Sequence, residues 1–429
     1  MPRRLCFVLL TSAVVVGSLW ALAGCGSTTT TTTTAPETTV APATATITSS
    51  TPATTATISG ALSGEPIVIG GALALSGPVS PYDLPPLAFA ELAVEDLNAA
   101  GGVLGRPLQV VTADTKSDPA QGPTAALEVL DKKAVAVIVT SDFDFGSPAA
   151  LTAQSKGVIA FSPGAASPKF GVQGIGPLAY TMSTGTPGEG FTIAEWAKKD
   201  KGWESAYALL DDGSEYERTT MQYFKTRWAE LGGALAGEDK FLNADPSIAS
   251  QITKMKSAPK FDFIVISTHT PGGASAIRQI RAAGITAPII GPSSMDGAYW
   301  LDAVPNLSDF YVLAYGSIYG DDPDPKFNEM LARYEEKTGQ KVANGIAFTG
   351  YSVIQALAKA INTAGSTDGA AVATVIDQFK DEPFLVGPTT YTPDLHINVM
   401  RPWRIVQIQN GKPSYLATFQ ITEAPKVTF

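Results

Sequence analysis

The chain holds two histidines, His269 and His396, and neither lies near a Gly-x-Ser-x-Gly turn, so no serine has an evident base to take its proton. There is no H-E-x-x-H pair, P-loop or G-x-G-x-x-G; "GVQGIG" (171–176) places two residues after its first glycine where the dinucleotide motif has one. No enzyme activity, cofactor or metal site is expected, although counts of Asp and Glu leave a carboxylate mechanism open. Binding chemistry remains. "SDFDFGS" (141–147) brings together Asp142, Phe143, Asp144 and Phe145. Each carboxylate could meet a ligand or cap the helix expected from Ser147-Pro148, and the two rings should divide between core and cleft wall. His269, at a strand end before Thr270-Pro271, is either a loop hydrogen-bonder or a ligand contact, since imidazole can donate, accept or carry charge. Tyr82 and Tyr216 stand in polar loops, where a tyrosine offers a ring face and a hydroxyl.

These residues sit in an alternation of short apolar runs and helical patterns, which predicts an α/β fold with parallel sheets covered by helices. "IVIGGALAL" (67–75) precedes "LAFAELAVEDLNAAGG" (87–102), and the pattern repeats through "PLQVVTAD", "AVAVIVT" and "VIAFSP". A second series starts after Tyr180 with "ESAYALLDD", "FDFIVIST" and "APIIGPS"; long helices return later and two strand-like runs close the chain. A chain of 429 residues is long for one core, so two lobes are expected, with a ligand between them at their strand C-termini.

The N-terminus reads as an export signal over residues 1–24: Arg3 and Arg4, an apolar stretch from Leu5 to Trp20, then small residues. Leu22-Ala23-Gly24-Cys25 resembles the lipobox of bacterial lipoproteins, which implies cleavage before Cys25 and lipid on that cysteine. Cys6 is lost with the signal, so disulfides and thiolate metal sites are excluded from the mature chain. The next segment, 25–64, is almost entirely Thr, Ser, Ala, Pro and Gly and reads as a disordered linker, spanning roughly 35 Å as a coil. With 30 basic residues against 40 acidic ones, the chain should avoid nucleic acid and anionic membrane surfaces. Membrane attachment would then rest on the lipid.

In order along the body stand "GGALALSGPVSPY" (70–82), "AVEDLNAAGGVLGRPLQVV" (93–111), "SDPAQGPTAALEVL" (117–130), "FSPGAASP" (161–168), "DDGSEY" (211–216), "IRQIRAAGI" (277–285) and "IIGPS" (289–293). In these motifs the chain resembles the type I periplasmic binding proteins of the leucine/isoleucine/valine-binding branch. The resemblance implies two open parallel-sheet lobes joined by three hinge crossings, near Ser183, Tyr315 and Tyr391, with 65–182 and 315–390 in the N-terminal lobe and 183–314 and 391–429 in the other. It implies a receptor that delivers a small solute to an ABC permease and ATPase, or, alternatively, a sensing domain with a separate signalling partner; the absent disulfides and two-lobed pattern predict a monomer, and the lipobox places it on the outer face of the cytoplasmic membrane. Pocket positions fall on Ser76 and Tyr82, on Asp142, Phe143 and Asp144, on Gly164, Ala165 and Ala166, and on Tyr216, His269, Ser293 and Asp296. Ala166 stands where a threonine is usual and Ser293 where an acid is usual. These departures predict weak binding of branched-chain amino acids and a ligand with a cationic or hydrogen-bond-donating end on an apolar body.

Overall fold

The computed structural model describes residues 62–429; the signal, Cys25 and nearly all of the linker lie outside the described residues. The first sheet is built from β1 (Ile67–Leu73), β2 (Leu108–Asp114), β3 (Ala134–Val139), β4 (Ile159–Ser162) and β5 (Ala179–Thr181), in the order β2-β1-β3-β4-β5. All of its pairings are parallel, and β1 is paired on both sides. Burial on both faces explains why these strands read as nearly continuous apolar runs. Helices α1 (Ser80–Ala99), α2 (Gly122–Asp131) and α3 (Phe143–Ser155) make the crossovers.

The chain then leaves for a second sheet through α4 (Gly185–Lys199). There β6 (Ser205–Asp211), β7 (Ala234–Phe241), β8 (Phe263–Ser267), β9 (Ile289–Gly291) and β10 (Phe310–Ala314) repeat the first order as β7-β6-β8-β9-β10. Their crossovers include α5 (Glu215–Glu230), α6 (Ala249–Ser257) and α7 (Gly272–Ala282). From β10 the chain returns to the first lobe, adding α8 (Pro325–Thr338), α9 (Ala347–Ala364), α10 (Gly369–Ile376) and a small hairpin of β11 (Glu382–Phe384) and β12 (Gly387–Thr389). It finally crosses back to lay antiparallel β13 (Trp403–Gln409) and β14 (Lys412–Phe419) beside β10.

Two helix starts differ from the sequence expectation. α1 begins at Ser80 rather than near Leu87, and so contains Pro85 and Pro86. Without N–H groups these prolines cannot bond the carbonyls of Pro81 and Tyr82, one helical turn back. Other groups take both carbonyls: Asn344 Nδ2 donates to Pro81 O at 3.0 Å and Ser141 Oγ donates to Tyr82 O at 3.0 Å. The helix therefore survives its prolines, and two loops are fixed to its first turn. Farther along, α9 crosses α1 at Gly350, where a Cβ would stand 1.8 Å from Pro86 O. α3 likewise begins at Phe143, not at Ser147-Pro148, because Asp142 caps it: Oδ1 accepts from the N–H groups of Asp144 (2.8 Å) and Phe145 (3.1 Å).

The hinge is a buried polar knot. Ser183 Oγ and Tyr315 Oη are 2.9 Å apart, and Tyr391 Oη donates to Thr181 O at 2.8 Å. Arg401, which sequence reasoning missed, donates to Met182 O (2.7 Å), Thr184 Oγ1 (3.2 Å) and Thr389 Oγ1 (2.8 Å). One guanidinium thus joins the first and third crossings.

Candidate functional site

Each sheet changes winding direction beside its first strand, and in open α/β sheets ligands bind outside the strand C-termini at such a point. Here the two crevices face each other across a cavity of about 130 Å³, the size for a small molecule. From the first lobe it is lined by Tyr82, Ser141, Asp142, Phe145, Gly164 and Ala166, and from the second by Tyr216, Glu217, His269, Ser293 and Ser294; Tyr315, Asn344 and Ile346 lie among the rest.

Asp83 organises the first-lobe side. It is fully buried, and its two oxygens accept from the N–H groups of Ala74 (2.7 Å) and Ser141 (2.8 Å), tying the loops after β1 and β3 together. Burial pushes its carboxyl up to about 6 against those two bonds. Ser162 Oγ accepts from the N–H of Ala165 at 2.9 Å and sets the loop after β4. Gly164 is a close approach: a Cβ there would stand 2.5 Å from Ile346 and 2.9 Å from Ser141 O. Burial, with the charges of Asp144 and Glu217 nearby, raises the Asp142 carboxyl to about 7.

On the second-lobe side, Glu189 of α4 reaches the cavity wall. Its carboxylate accepts from Tyr216 Oη (2.8 Å) and from the N–H of Ser293 (2.6 Å). Burial raises the pKa of Glu189 and, more strongly, of Tyr216, so the tyrosine holds its proton. His269 Nδ1 lies 2.7 Å from Glu217 Oε1 and 3.8 Å from Asp211 Oδ2. Burial opposes the imidazolium, but the bond to Glu217 and the charges of Asp211 and Asp142 outweigh it and raise the His269 pKa. Glu217 also accepts from Ser214 Oγ.

The profile of a family described as periplasmic binding protein matches residues 66–413. The chain is a periplasmic binding protein. Its fold is that of the type I group. This binding protein is 26% identical over 331 residues to the Leu/Ile/Val-binding protein homolog 3 of Brucella melitensis, covering 76% of this chain and 87% of that one. It is 24% identical over 336 residues to the Leu/Ile/Val-binding protein of Escherichia coli K12, with the same coverage of 76% and 87%. Among solved structures it resembles the branched-chain amino acid transporter substrate binding protein LivJ of Streptococcus pneumoniae in complex with isoleucine, at TM-score 0.72, 22% identity and coverage of 83% and 99%. It also resembles a solute binding protein of Rhodopseudomonas palustris BisB5 in complex with 3,4-dihydroxy benzoic acid, at TM-score 0.69, 20% identity and coverage of 84% and 98%.

In the binding protein's cavity stand seven of the residues expected from sequence: Tyr82, Asp142, Gly164, Ala166, Tyr216, His269 and Ser293. Five others stand elsewhere. Ser76 is outside it, donating to Asp114 Oδ2 at 2.7 Å. Phe143 packs against the core between α2, α3 and the first sheet, leaving Phe145 as the ring on the cleft wall, and Ala165 is buried in that same core. Asp144 and Asp296 instead bridge the lobes: Asp144 Oδ2 accepts from Glu215 N–H at 3.1 Å, and Asp296 Oδ2 accepts from Gly345 N–H at 2.7 Å. With Tyr82 Oη at 3.2 Å from both Thr270 Oγ1 and Ser294 O, these bonds hold the lobes closed. Glu217, Asn344 and Ile346 were not anticipated, although Glu217 directly follows Tyr216.

Proposed function

We propose that this protein is the lipid-anchored, extracytoplasmic receptor of an ABC importer, capturing a small solute between its lobes and passing it to the permease and ATPase. The observation that carries the reading is the cavity between two lobes at the C-terminal ends of sheets wound alike, the lobes fastened by Asp144, Asp296 and Tyr82 and hinged at three crossings. Bonds of this kind form only when the lobes meet, so a ligand that fills the cavity favours the closed state by its differential affinity.

Small-angle scattering should therefore show a smaller radius when solute is added to solute-free protein; an unchanged radius at saturation would argue against capture by hinge closure. Cells lacking the protein should lose uptake of whatever solute co-purifies with it. Undiminished uptake, with a lost transcriptional response to that solute, would favour sensing. The anchor has its own test in Cys25→Ser, which should move the folded protein from the membrane fraction to the soluble one and abolish lipid labelling. Membrane retention of that variant would point to a spanning N-terminal helix. Among the described residues, no helix is long and apolar enough to cross a membrane.

A further inference from the structure

We propose that the cleft selects a small organic cation, a protonated amine on a compact apolar body, with its nitrogen facing Asp142 and Asn344 Oδ1 and its body against the aromatic wall. The proposal rests on the solute-capture reading and narrows its ligand.

The cavity is rich in acceptors. No lysine or arginine lines it, whereas Asp142 and Glu217 enter from opposite lobes. His269, its one basic residue, already faces Glu217 at 2.7 Å, and the protonated pair is nearly neutral. That leaves Asp142 as the uncompensated charge. Both of its cap bonds use Oδ1, so Oδ2 remains for a ligand.

A second observation points the same way. Asn344 lines the cavity, is only 3% exposed, and its Oδ1 has no partner. Its orientation is fixed by chemistry, because Nδ2 must face the Pro81 carbonyl that Pro85 cannot bond. A buried acceptor left open at a ligand cavity is costly until a donor arrives.

The donors that would hold a carboxylate are largely taken by the chain itself. In the first lobe, Asp142 holds the N–H groups of Asp144 and Phe145 at the start of α3, Asp83 holds that of Ser141, and Ser162 holds that of Ala165. In the second, Glu189 holds the N–H of Ser293. An incoming anion would have to displace these bonds beside two carboxylates, whereas an ammonium would meet open lone pairs. Tyr82, Phe145, Tyr216 and Tyr315 line the cavity, and aromatic rings attract cations and shelter apolar carbon.

Two matched sets test this by calorimetry on the full chain in detergent, freed of bound solute: leucine, isoamylamine and 4-methylpentanoate, then phenylalanine, phenethylamine and 3-phenylpropanoate. Within each set the carbon skeleton is nearly constant while the amine and carboxylate are removed in turn. At least one of the two amines should bind at least about tenfold more tightly than its amino acid, and neither carboxylate should bind. Asp142→Asn keeps an oxygen for the helix cap and removes a buried charge, so it should leave the protein folded with an equal or higher melting temperature and weaken amine binding by about tenfold or more. Tighter binding of an amino acid or carboxylate, no binding of either amine, or amine binding indifferent to Asp142→Asn would overturn the proposal. Recovery of a neutral or anionic solute from the purified protein would also overturn it while leaving solute capture intact. Solute capture itself falls only if no small molecule binds from a metabolite extract and the scattering radius never changes.

Discussion

Asp83→Ala is expected to lower unfolding stability by about 4 kcal/mol and to abolish ligand-induced closure. The side chain is fully buried and satisfies the N–H groups of both Ala74 and Ser141. Its removal strands two buried donors, each costing about 1 to 3 kcal/mol, and adds a small void. The loops after β1 and β3 would then be free to separate, carrying Ser141 and Asp142 out of register with the second lobe. Denaturant unfolding measures the first effect and scattering with solute the second. A loss below about 1 kcal/mol would mean that water replaces the carboxylate and that the loops are held by other contacts.

Lowering the pH from about 8 to about 5 should stabilise the closed form of the protein, against the common pattern for acidic proteins. Burial raises Asp142 and Asp296 to about 7 and Asp83 to about 6. An unfolded aspartate titrates near about 3.9, so between about pH 4 and 7 the folded state binds more protons and gains stability as pH falls. His269 acts in the same direction: its raised pKa gives a contribution that is full below about 6.5 and is lost as pH rises through the folded value. Carboxylates held down by partners set the lower limit, as with Asp96 against Arg333, whose contribution disappears as pH falls below about 4. The gain should be at most about 7 kcal/mol, roughly 9 °C in melting temperature for a body of this size. A melting temperature that falls steadily from about pH 8 to about 5 would sink this account. Amine binding should respond oppositely, weakening as Asp142 takes up its proton, so the two pH profiles separate folding from recognition.

The alternation of strands and helices was legible in the sequence because a parallel strand buried on both faces must be apolar throughout, as "IVIGGAL" is. The start of α1 was not, since Pro85 and Pro86 signal a break unless the groups that will donate to the freed carbonyls are known. Those groups are Ser141 and Asn344, and Asn344 lies 263 residues from Pro81. Glu217 was missed for a similar reason. It sits in an ordinary helical turn, and only the return of β8 places His269 against it. Asp142 and Asp144 were separable only by geometry, because either could have capped α3 and the sequence offers both at suitable spacing. Tyr82 and Tyr216 were recoverable because the chain after β1 and β6 passes the switch point, although both stand in the first turns of α1 and α5 rather than in the polar loops expected from sequence.

The position of β1 also bears on mechanics. The described chain enters the first lobe directly into this strand, which is bonded along its length to β2 on one side and to β3 on the other. Tension arriving through the N-terminal segment would load both ladders in shear, so that many bonds share the force rather than parting one after another. The second lobe, attached through the hinge, would take none of that load directly. A pull applied at the start of β1 would therefore leave the opening and closing of the cleft to thermal motion.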